Sequence, residues 1–193
     1  MVVGISGRYC AGKSEVSRLL IEGGFERLDV DALGHEALEI ERERIIETFG
    51  PQITKDGRID RRQLGRRVFG DPDSRRRLEE IVHPRMREQV AEAAKSKGAS
   101  GGKLVIDAAL LFYMDLHRHC DLVIWVHSPL ILRAWRAVRR DNLGLRQVIS
   151  RFRAQRHITP QPYLQDVDIR RVNNWGSRRR LLRQLEELPG LFT

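Results

Sequence analysis

The feature that most constrains this chain is the stretch Gly-Arg-Tyr-Cys-Ala-Gly-Lys-Ser at residues 7–14. It follows the apolar run Val-Val-Gly-Ile-Ser directly and precedes an amphipathic segment that begins Glu-Val-Ser-Arg-Leu-Leu. A strand, a glycine-containing loop and a helix in this order turn backbone N–H groups toward an anion, and glycine keeps the turn unobstructed. Lys13 adds a mobile positive charge, and the Ser14 hydroxyl can join a magnesium shell between terminal phosphates. The sequence therefore predicts a loop that holds a nucleoside triphosphate.

Length and composition limit the class of protein. A chain of 193 residues is one ordinary domain, or a core with a small inserted lid. It contains no apolar run long enough for a membrane helix and no signal-like N-terminus. The two cysteines, Cys10 and Cys120, have no metal-binding spacing. We expect a cytoplasmic protein that does not bind a membrane.

The charge distribution allows two interpretations. The formal net charge is +9, which favours an anionic partner such as a nucleic acid, an acidic surface or a phosphorylated small molecule. Residues 133–183 contain 14 arginines, no lysine and three acidic residues. Arginine suits bidentate phosphate contacts, but a solvated helical face is the commoner explanation for any one of these residues. The aromatic residues in this segment are too sparse for a base-stacking platform, so we expect no nucleic-acid partner.

Apolar runs of strand length alternate with amphipathic helical stretches, which predicts an α/β fold with a mostly parallel sheet. A helix start is predicted near Pro72, with Asp71 or Asp73 at its cap. The tract 95–103, Lys-Ser-Lys-Gly-Ala-Ser-Gly-Gly-Lys, is predicted to be a flexible connection between a long helix and the third strand. The predicted strands lie at 2–6, 25–30, 103–107, 121–126 and 168–172.

Acidic residues follow two of these strands. Asp29 and Asp31 stand at the end of the second strand, where ligands bind in parallel sheets. They are either carboxylates of an acceptor site or an N-cap for a helix starting near Ala32. Asp107 ends the third strand and resembles a carboxylate that orients magnesium or its water.

The remaining motifs narrow the reaction class, because a phosphate-binding loop occurs in many kinds of enzyme. The chain lacks an Asn-Lys-x-Asp guanine motif, and a helicase or motor would be longer. A small-molecule kinase fits the size best.

Six motifs in order resemble the bacterial dephospho-coenzyme A kinase family across nearly the whole chain. The second and third are the most specific, because other proteins with this loop do not share their spacing. The motifs are GRYCAGKS, LDVDALGHEAL, DGRIDRRQLGRRVFGDPDSRRRLEEIVHPRM, VIDAALLF, RAVRRD with RFRAQ, and VDIRRVNNWG.

The resemblance implies a reaction and a fold. Members of the family pass the γ-phosphoryl group of ATP to the ribose 3′-hydroxyl of dephospho-coenzyme A, the last step of coenzyme A synthesis, with Mg²⁺. The implied fold is a P-loop NTPase core, a five-stranded parallel sheet flanked by helices. We expect a single domain over 1–193, with a helical acceptor-binding region at about 31–97 and a lid at about 133–165. A monomer is expected, with a small homo-oligomer as the alternative.

The resemblance also assigns roles to individual residues. Asp31, Lys13 and Arg140 are the expected catalytic groups, and Ser14 is the expected metal ligand. The residues expected to bind ATP are Gly7, Cys10, Ala11, Gly12, Lys13, Ser14, Glu15, Arg136, Arg140, Asn173 and Asn174. Those expected to bind the acceptor are Asp29, Asp31, His83, Asp107 and Leu111. Without the resemblance, His83 before Pro84 is more simply a capped or core histidine.

One departure from the family pattern concerns the acceptor. Many members have a proline and a nearby glutamate where this chain has Ala109 and Tyr113. An apolar contact through Leu110 and Leu111 survives, but the role of that glutamate cannot pass to Tyr113. Two alternatives remain, which are another small-molecule or nucleoside kinase and a nucleic-acid-binding protein with this loop.

Overall fold

The computed structural model describes residues 1–141, 145–154 and 159–192. Parts of the predicted lid, residues 142–144 and 155–158, lie outside the described residues, and so does Gln155 of the RFRAQ motif. The chain divides into two compact units, one formed by residues 1–28 with 93–193 and the other by residues 29–92. The functional assignments of an acceptor region and a lid stay predictions.

A five-stranded sheet organises the first unit. Its strands are β1 (Val2–Ser6), β2 (Glu26–Asp29), β5 (Leu104–Asp107), β6 (Leu122–His127) and β7 (Asp168–Asn173), and the short strands β3 (Thr54–Lys55) and β4 (Arg58–Ile59) belong to the second unit. The strand order in the sheet is β2-β5-β1-β6-β7, and β1 pairs in parallel with both β5 and β6, as β6 does with β7. The predicted fold is thus confirmed. The helices of this unit are α1 (Lys13–Glu22), α6 (Leu130–Asp141), α7 (Leu145–Ala154) and α8 (Arg178–Glu186).

The core of the first unit lies around the central strand. All five residues of β1 are buried, and so are the first five residues of β6. Such strands carry continuous apolar runs because helices cover both faces of a parallel sheet. Val16, Leu19 and Leu20 of α1 pack into the same cluster as Leu181 and Leu185 of α8. This packing fixes the end of β1 and the start of α1, and hence the loop between them.

The second unit contains helices and one small hairpin. Its helices are α2 (Val30–Ile40), α3 (Arg42–Phe49), α4 (Arg61–Val68) and the first part of α5 (Pro72–Ala99), and its strands are β3 (Thr54–Lys55) and β4 (Arg58–Ile59). The predicted cap of α5 is confirmed, since Asp71 accepts bonds from the backbone N–H of Asp73 at 3.1 Å and the Ser74 hydroxyl at 2.6 Å. Carboxylates that cap helices in this way need no catalytic role.

Helix α5 is longer than expected. It covers 28 residues, passes through Pro84 and includes the first five residues of the tract 95–103, so the prediction of a flexible connection there was wrong for 95–99. Buried Val90 and Ala94 anchor its last turns, and this packing outweighs the local preference of Gly98 for a turn. In the described part of the chain, no helix has the length and apolar character needed to cross a membrane.

Candidate active site

The loop between β1 and α1 needs glycine at two positions for steric reasons. A Cβ atom on Gly7 would lie 2.5 Å from the carbonyl oxygen of Val126 in the neighbouring strand β6. Gly12 has a φ of +93°, and a Cβ atom there would lie 2.0 Å from Nδ2 of Asn174. The two glycines therefore let the loop pack closely against β6 and against the segment after β7.

The carbonyl groups of the loop accept hydrogen bonds from residues distant in sequence. Arg133 Nε donates to the Tyr9 carbonyl at 2.8 Å, and Arg136 Nη1 donates to the Ala11 carbonyl at 3.2 Å. Asn174 Nδ2 also donates to the Ala11 carbonyl, at 3.1 Å. Three side chains from outside the loop thus bind its backbone oxygens.

Asn174 and Arg136 also bind each other. Arg136 Nη2 donates to the carbonyl of Asn174 at 3.0 Å, and the Ser128 hydroxyl donates to the same oxygen at 3.0 Å. Asn174 is 8% exposed, and its backbone N–H donates to the His127 carbonyl. The network therefore connects the ends of β6 and β7 and helix α6 to the loop. The structure gives Asn174 and Arg136 a positioning role, and their predicted contacts with ATP stay predictions.

The start of α1 lies at the end of the loop. Gly12 is its N-cap and no side chain caps it, so the first-turn N–H groups have the polarity that attracts an anion. Lys13 Nζ donates to the Gly7 carbonyl at 3.1 Å, which lays the ammonium group across the loop. Ser14 is exposed beside it.

Glu15, also predicted to bind ATP, is engaged by arginines. It pairs with Arg18 one turn later, and Arg178 Nε donates to its carboxylate at 3.1 Å. The bond from Arg18, with the charges of both arginines, holds the pKa of Glu15 below its usual value. The contact with Arg178 ties helix α8 to the first turn of α1.

Two predicted lid arginines lie at a cavity of about 430 Å³ beside the loop, but their contacts differ. Arg136 is half-buried and bonded to the loop, and burial lowers its pKa. The exposed Arg140 has its guanidinium 5.6 Å from the centroid of the Tyr9 ring. The lining of the cavity includes Gly12, Ser14, Trp135, Arg136, Arg139 and Arg140. The structure thus brings together loop and arginine residues that the sequence predicted to act on the same phosphates.

Asp107 and Leu111 have defined partners within the first unit. Asp107 Oδ2 accepts bonds from Arg27 Nε at 3.1 Å and Nη2 at 2.9 Å. Leu111 is fully buried, and a Cβ atom on Gly4 would lie 2.9 Å from its Cδ2 atom. Both residues therefore have structural roles, and a direct contact of Leu111 with an acceptor would need its surroundings to open.

Asp29, Asp31 and His83 belong to the second unit. Asp29 caps α2 by accepting bonds from the N–H groups of Asp31 and Ala32, so the helix begins two residues earlier than expected. Asp31 is exposed in the first turn and is not the cap. Burial lowers the pKa of His83, and the charges of two nearby arginines lower it further against the opposing effect of Glu79.

Sequence reasoning missed Arg133, which is 6% exposed and holds the Tyr9 carbonyl. Its guanidinium also lies 4.7 Å from the Phe152 ring centroid. The available signal was spacing, because Arg133, Arg136 and Arg140 recur on one helical face. Arg151, whose Nη1 donates to the Tyr9 hydroxyl at 2.9 Å, gave no such signal.

Comparisons with known proteins identify the family of the chain. The sequence model of the family described as CoaE: Dephospho-CoA kinase matches residues 1–174. The dephospho-CoA kinase of Wolinella succinogenes is 35% identical over 157 residues, which cover 81% of this chain and 78% of that protein.

Two solved structures are similar over almost the whole chain. The crystal structure of TT1252 from Thermus thermophilus has a TM-score of 0.78 and 32% identity, and the match covers 96% of this chain and 94% of the other. The dephospho-CoA kinase from Campylobacter jejuni shares the fold, with a TM-score of 0.62, 23% identity, and coverage of 95% and 92%. The loop geometry, the extent of the family match and these likenesses lead to one conclusion: the chain belongs to the dephospho-CoA kinase family.

Proposed function

We propose that this chain transfers the γ-phosphoryl group of ATP to the ribose 3′-hydroxyl of dephospho-coenzyme A, the last step of coenzyme A synthesis. The observation that carries the proposal is the loop at residues 7–14, which has Lys13 across it and a cavity lined by Arg136 and Arg140 beside it, in a chain of this family. Phosphoryl transfer depends on positioning and charge neutralisation, and this arrangement supplies both.

The donor half of the reaction is assigned to the first unit. On ATP binding, Lys13 exchanges its bond to the Gly7 carbonyl for the β- and γ-phosphates, and the loop N–H groups bind the same oxygens. Arg140 moves from the Tyr9 ring to the transferring group, where its charge offsets the developing negative charge. Arg136 keeps the loop in place while it lines the cavity.

The residues present fit a magnesium ion that arrives with the nucleotide. Among the described residues, no group of three or more His, Cys, Asp or Glu side chains could hold a metal. Mg²⁺ commonly keeps several waters and takes few protein ligands besides phosphate oxygens, so a single hydroxyl, that of Ser14, suffices. Bound there, the ion would neutralise charge on the terminal phosphates.

The acceptor half is assigned to carboxylates and a histidine. Asp31 has no side-chain partner among the described residues, so its carboxylate can orient the ribose hydroxyl and accept its proton. Asp29 places Asp31 by capping α2, and His83, Asp107 and Leu111 complete the predicted acceptor residues.

The deciding experiment incubates the protein with ATP, Mg²⁺ and dephospho-coenzyme A and identifies the product by mass. A gain of one phosphate on the acceptor, located at the 3′ position by NMR, supports the proposal. A parallel panel of nucleosides and small alcohols tests for another acceptor. Transfer to a panel member with dephospho-coenzyme A left unchanged would overturn the assignment of substrate but keep the kinase.

The remaining proposals concern metal and environment. We propose Mg²⁺ as the working ion, which EDTA should remove and Mg²⁺ should restore. A cytoplasmic monomer is proposed as the working form, and light scattering at assay concentration measures the mass against 22.3 kDa for one chain. Steeply salt-dependent RNA binding would contradict the expectation of no nucleic-acid partner.

A further inference from the structure

A second cavity in the first unit also borders the phosphate-binding loop, at Arg8 and Ala11. Its volume is about 290 Å³. Its walls are formed by the loop, the end of β6, helix α6, strand β7 and residues 159–164. The four side chains in the wall that carry or can carry positive charge are Arg8, His127, Arg133 and Arg171, and we call the space the arginine–histidine cavity. No Asp or Glu lines it within the described parts of the chain.

Three of these side chains have no carboxylate partner among the residues that the structure describes. Arg133 Nε donates a hydrogen bond to the Tyr9 carbonyl, and the Arg133 guanidinium stacks on the Phe152 ring. Arg171 Nε donates only to the side-chain oxygen of Asn173, at 3.2 Å. The His127 ring meets the edge of the Trp175 ring, with centroids 5.8 Å apart. Within the described part of the chain, carboxylates therefore balance neither the charge of Arg133 nor that of Arg171.

Burial and the positive charges lining the cavity lower the pKa of two of its side chains, His127 and Arg133. Burial lowers the pKa of His127, and the charges of Arg171, Arg133 and Arg8 lower it further. Burial and the charge of Arg8 likewise lower the pKa of Arg133. Positive charges held close together in a partly buried space destabilise the folded chain, so such a cluster in a cavity is a candidate for ligand binding.

A purely structural explanation covers only part of the cluster. Arg133 holds the loop, which accounts for its burial. Arg171 is exposed on β7 and holds nothing in the loop, and neighbouring Arg170 on the same strand pairs with Asp168. Of these two consecutive arginines, Arg170 has a carboxylate partner, whereas Arg171 lines the cavity without one among the described residues.

Size and polarity limit the ligand. Sites for whole small molecules are about 300–1,000 Å³, so this cavity of about 290 Å³ lies just below that range and suits a compact anion better than a nucleotide. Guanidinium groups bind phosphate oxygens through pairs of charge-assisted hydrogen bonds. We propose that the arginine–histidine cavity binds a phosphate or diphosphate group additional to those held by the loop. The group comes either from the diphosphate of the acceptor, in which case the inference rests on the proposed function, or from a separate small anion.

Direct binding is measured without any phosphoryl transfer. Pyrophosphate is titrated into the protein, isotope-labelled in histidine, while the His127 ring signal is followed by NMR and assigned with His127→Gln. The groups that face His127 are Arg8 from the loop, Arg133 from α6 and Arg171 from β7, with the Trp175 ring beside it. We expect pyrophosphate to shift this signal and to raise the pKa of His127, since a bound anion favours the charged ring.

Matched variants separate this cavity from the loop. Arg171→Gln should weaken the pyrophosphate response of His127 about tenfold or more, as expected for loss of a charge-assisted contact. Arg170→Gln removes the same charge from the same strand and should leave the response within about twofold. Lys13→Ala impairs phosphate binding by the loop. It should leave the pyrophosphate response of His127 unchanged. Equal weakening by both arginine variants, or loss in Lys13→Ala alone, would overturn the proposal.

Kinetics then distinguish the two sources. If the acceptor supplies the group, Arg171→Gln raises the KM for dephospho-coenzyme A with little change in the KM for ATP, and pyrophosphate competes with the acceptor. If a separate anion binds, pyrophosphate changes turnover without competing, and its binding survives a saturating acceptor. Absence of any His127 response in a protein that still phosphorylates dephospho-coenzyme A would refute the cavity proposal alone. A response in a protein without that activity would refute the proposed function alone.

Discussion

Asp29 accepts a hydrogen bond from the backbone N–H of Asp31 at 3.1 Å, through the same oxygen that accepts from Ala32. The first of two nearby carboxylates therefore closes the start of α2, and the second projects from its first turn. The sequence left two roles open for this pair, an N-cap or an acceptor-site carboxylate, and in the structure Asp29 is the N-cap. Asp29 has the structural role, and the exposed Asp31, which does not cap the helix, stays the predicted acceptor-site carboxylate.

Asp31→Asn should lower the turnover number by about 10²- to 10⁴-fold, the range for loss of a general acid–base group. Asparagine keeps the size of the side chain and removes its basicity. ATP binding should change little, because the loop belongs to the other unit. Steady-state kinetics with both substrates saturating, an ATP titration and a thermal melt test this. Turnover within about threefold of wild type would remove Asp31 from the chemistry.

Asp29→Ala should act on stability, with a loss of about 0.5–2 kcal/mol in the free energy of unfolding, the usual cost of an N-cap. Asn caps almost as well as Asp, so Asp29→Asn is the matched control and should melt close to wild type. Denaturant unfolding monitored by circular dichroism gives the difference. Equal destabilisation by the two variants would mean that the charge of Asp29, not its cap, matters.

Lys13→Ala should lower turnover by about 10²- to 10³-fold or more, as expected when a group that stabilises transition-state charge is removed. The loop carbonyls keep their bonds from Arg133, Arg136 and Asn174, so the fold should persist. Lys95→Ala, on the exposed face of α5, removes the same charge and serves as control. Near wild-type turnover in Lys13→Ala at an unchanged melting temperature would contradict a phosphate-binding role.

Arg140→Ala and Arg136→Ala should both lower turnover or raise the ATP requirement by about tenfold or more. Each variant removes a guanidinium group that is predicted to form charged hydrogen bonds with the phosphates of ATP. Only Arg136→Ala should also lower the melting temperature, because Arg136 binds the loop and Asn174 in the absence of ATP. The control is exposed Arg179→Ala, whereas Arg178 is unsuitable because it binds Glu15. Equal losses in all three variants would indicate bulk electrostatics.

Cys120 should be inert toward alkylation in the folded protein. Burial, aided by the nearby charge of Asp121, raises the pKa of its thiol to about 12. The thiolate is the reactive form, so at pH 8 about one molecule in 10⁴ is competent. Iodoacetamide should modify Cys120 about 10²-fold or more slowly than in denaturant, as followed by peptide mass spectrometry. Comparable rates in both states would show that the thiol is accessible.

Local patterns predicted the strands and the loop because each pattern carries its own physical reason. The buried runs of β1 and β6 are continuous because both sheet faces are covered, and the loop motif stands between a strand and a helix. The cap at Asp71 was predictable for the same reason, since residues 71–74 contain both partners.

Long-range contacts explain what the sequence did not reveal. Arg133 meets the Tyr9 carbonyl 124 residues away, and Asn174 meets Ala11 163 residues away. Spacing places Arg133 on one helical face with Arg136 and Arg140, but it does not show that this face is the buried one, because burial depends on where α6 packs. The hairpin β3–β4 escaped prediction because two-residue strands leave no alternation to detect.

The outside bonds to the carbonyls of Tyr9, Ala11 and Gly12 also fix the opposite side of each peptide plane. Because the peptide group is planar and trans, its N–H points away from its C=O, so holding these oxygens aims the N–H groups of Cys10, Gly12 and Lys13 the other way. A peptide flip, which would turn an oxygen toward the phosphates, would first have to break a bond to Arg133, Arg136 or Asn174. The loop therefore meets its nucleotide with its dipoles already oriented, and little of the binding free energy is spent on reorganising them.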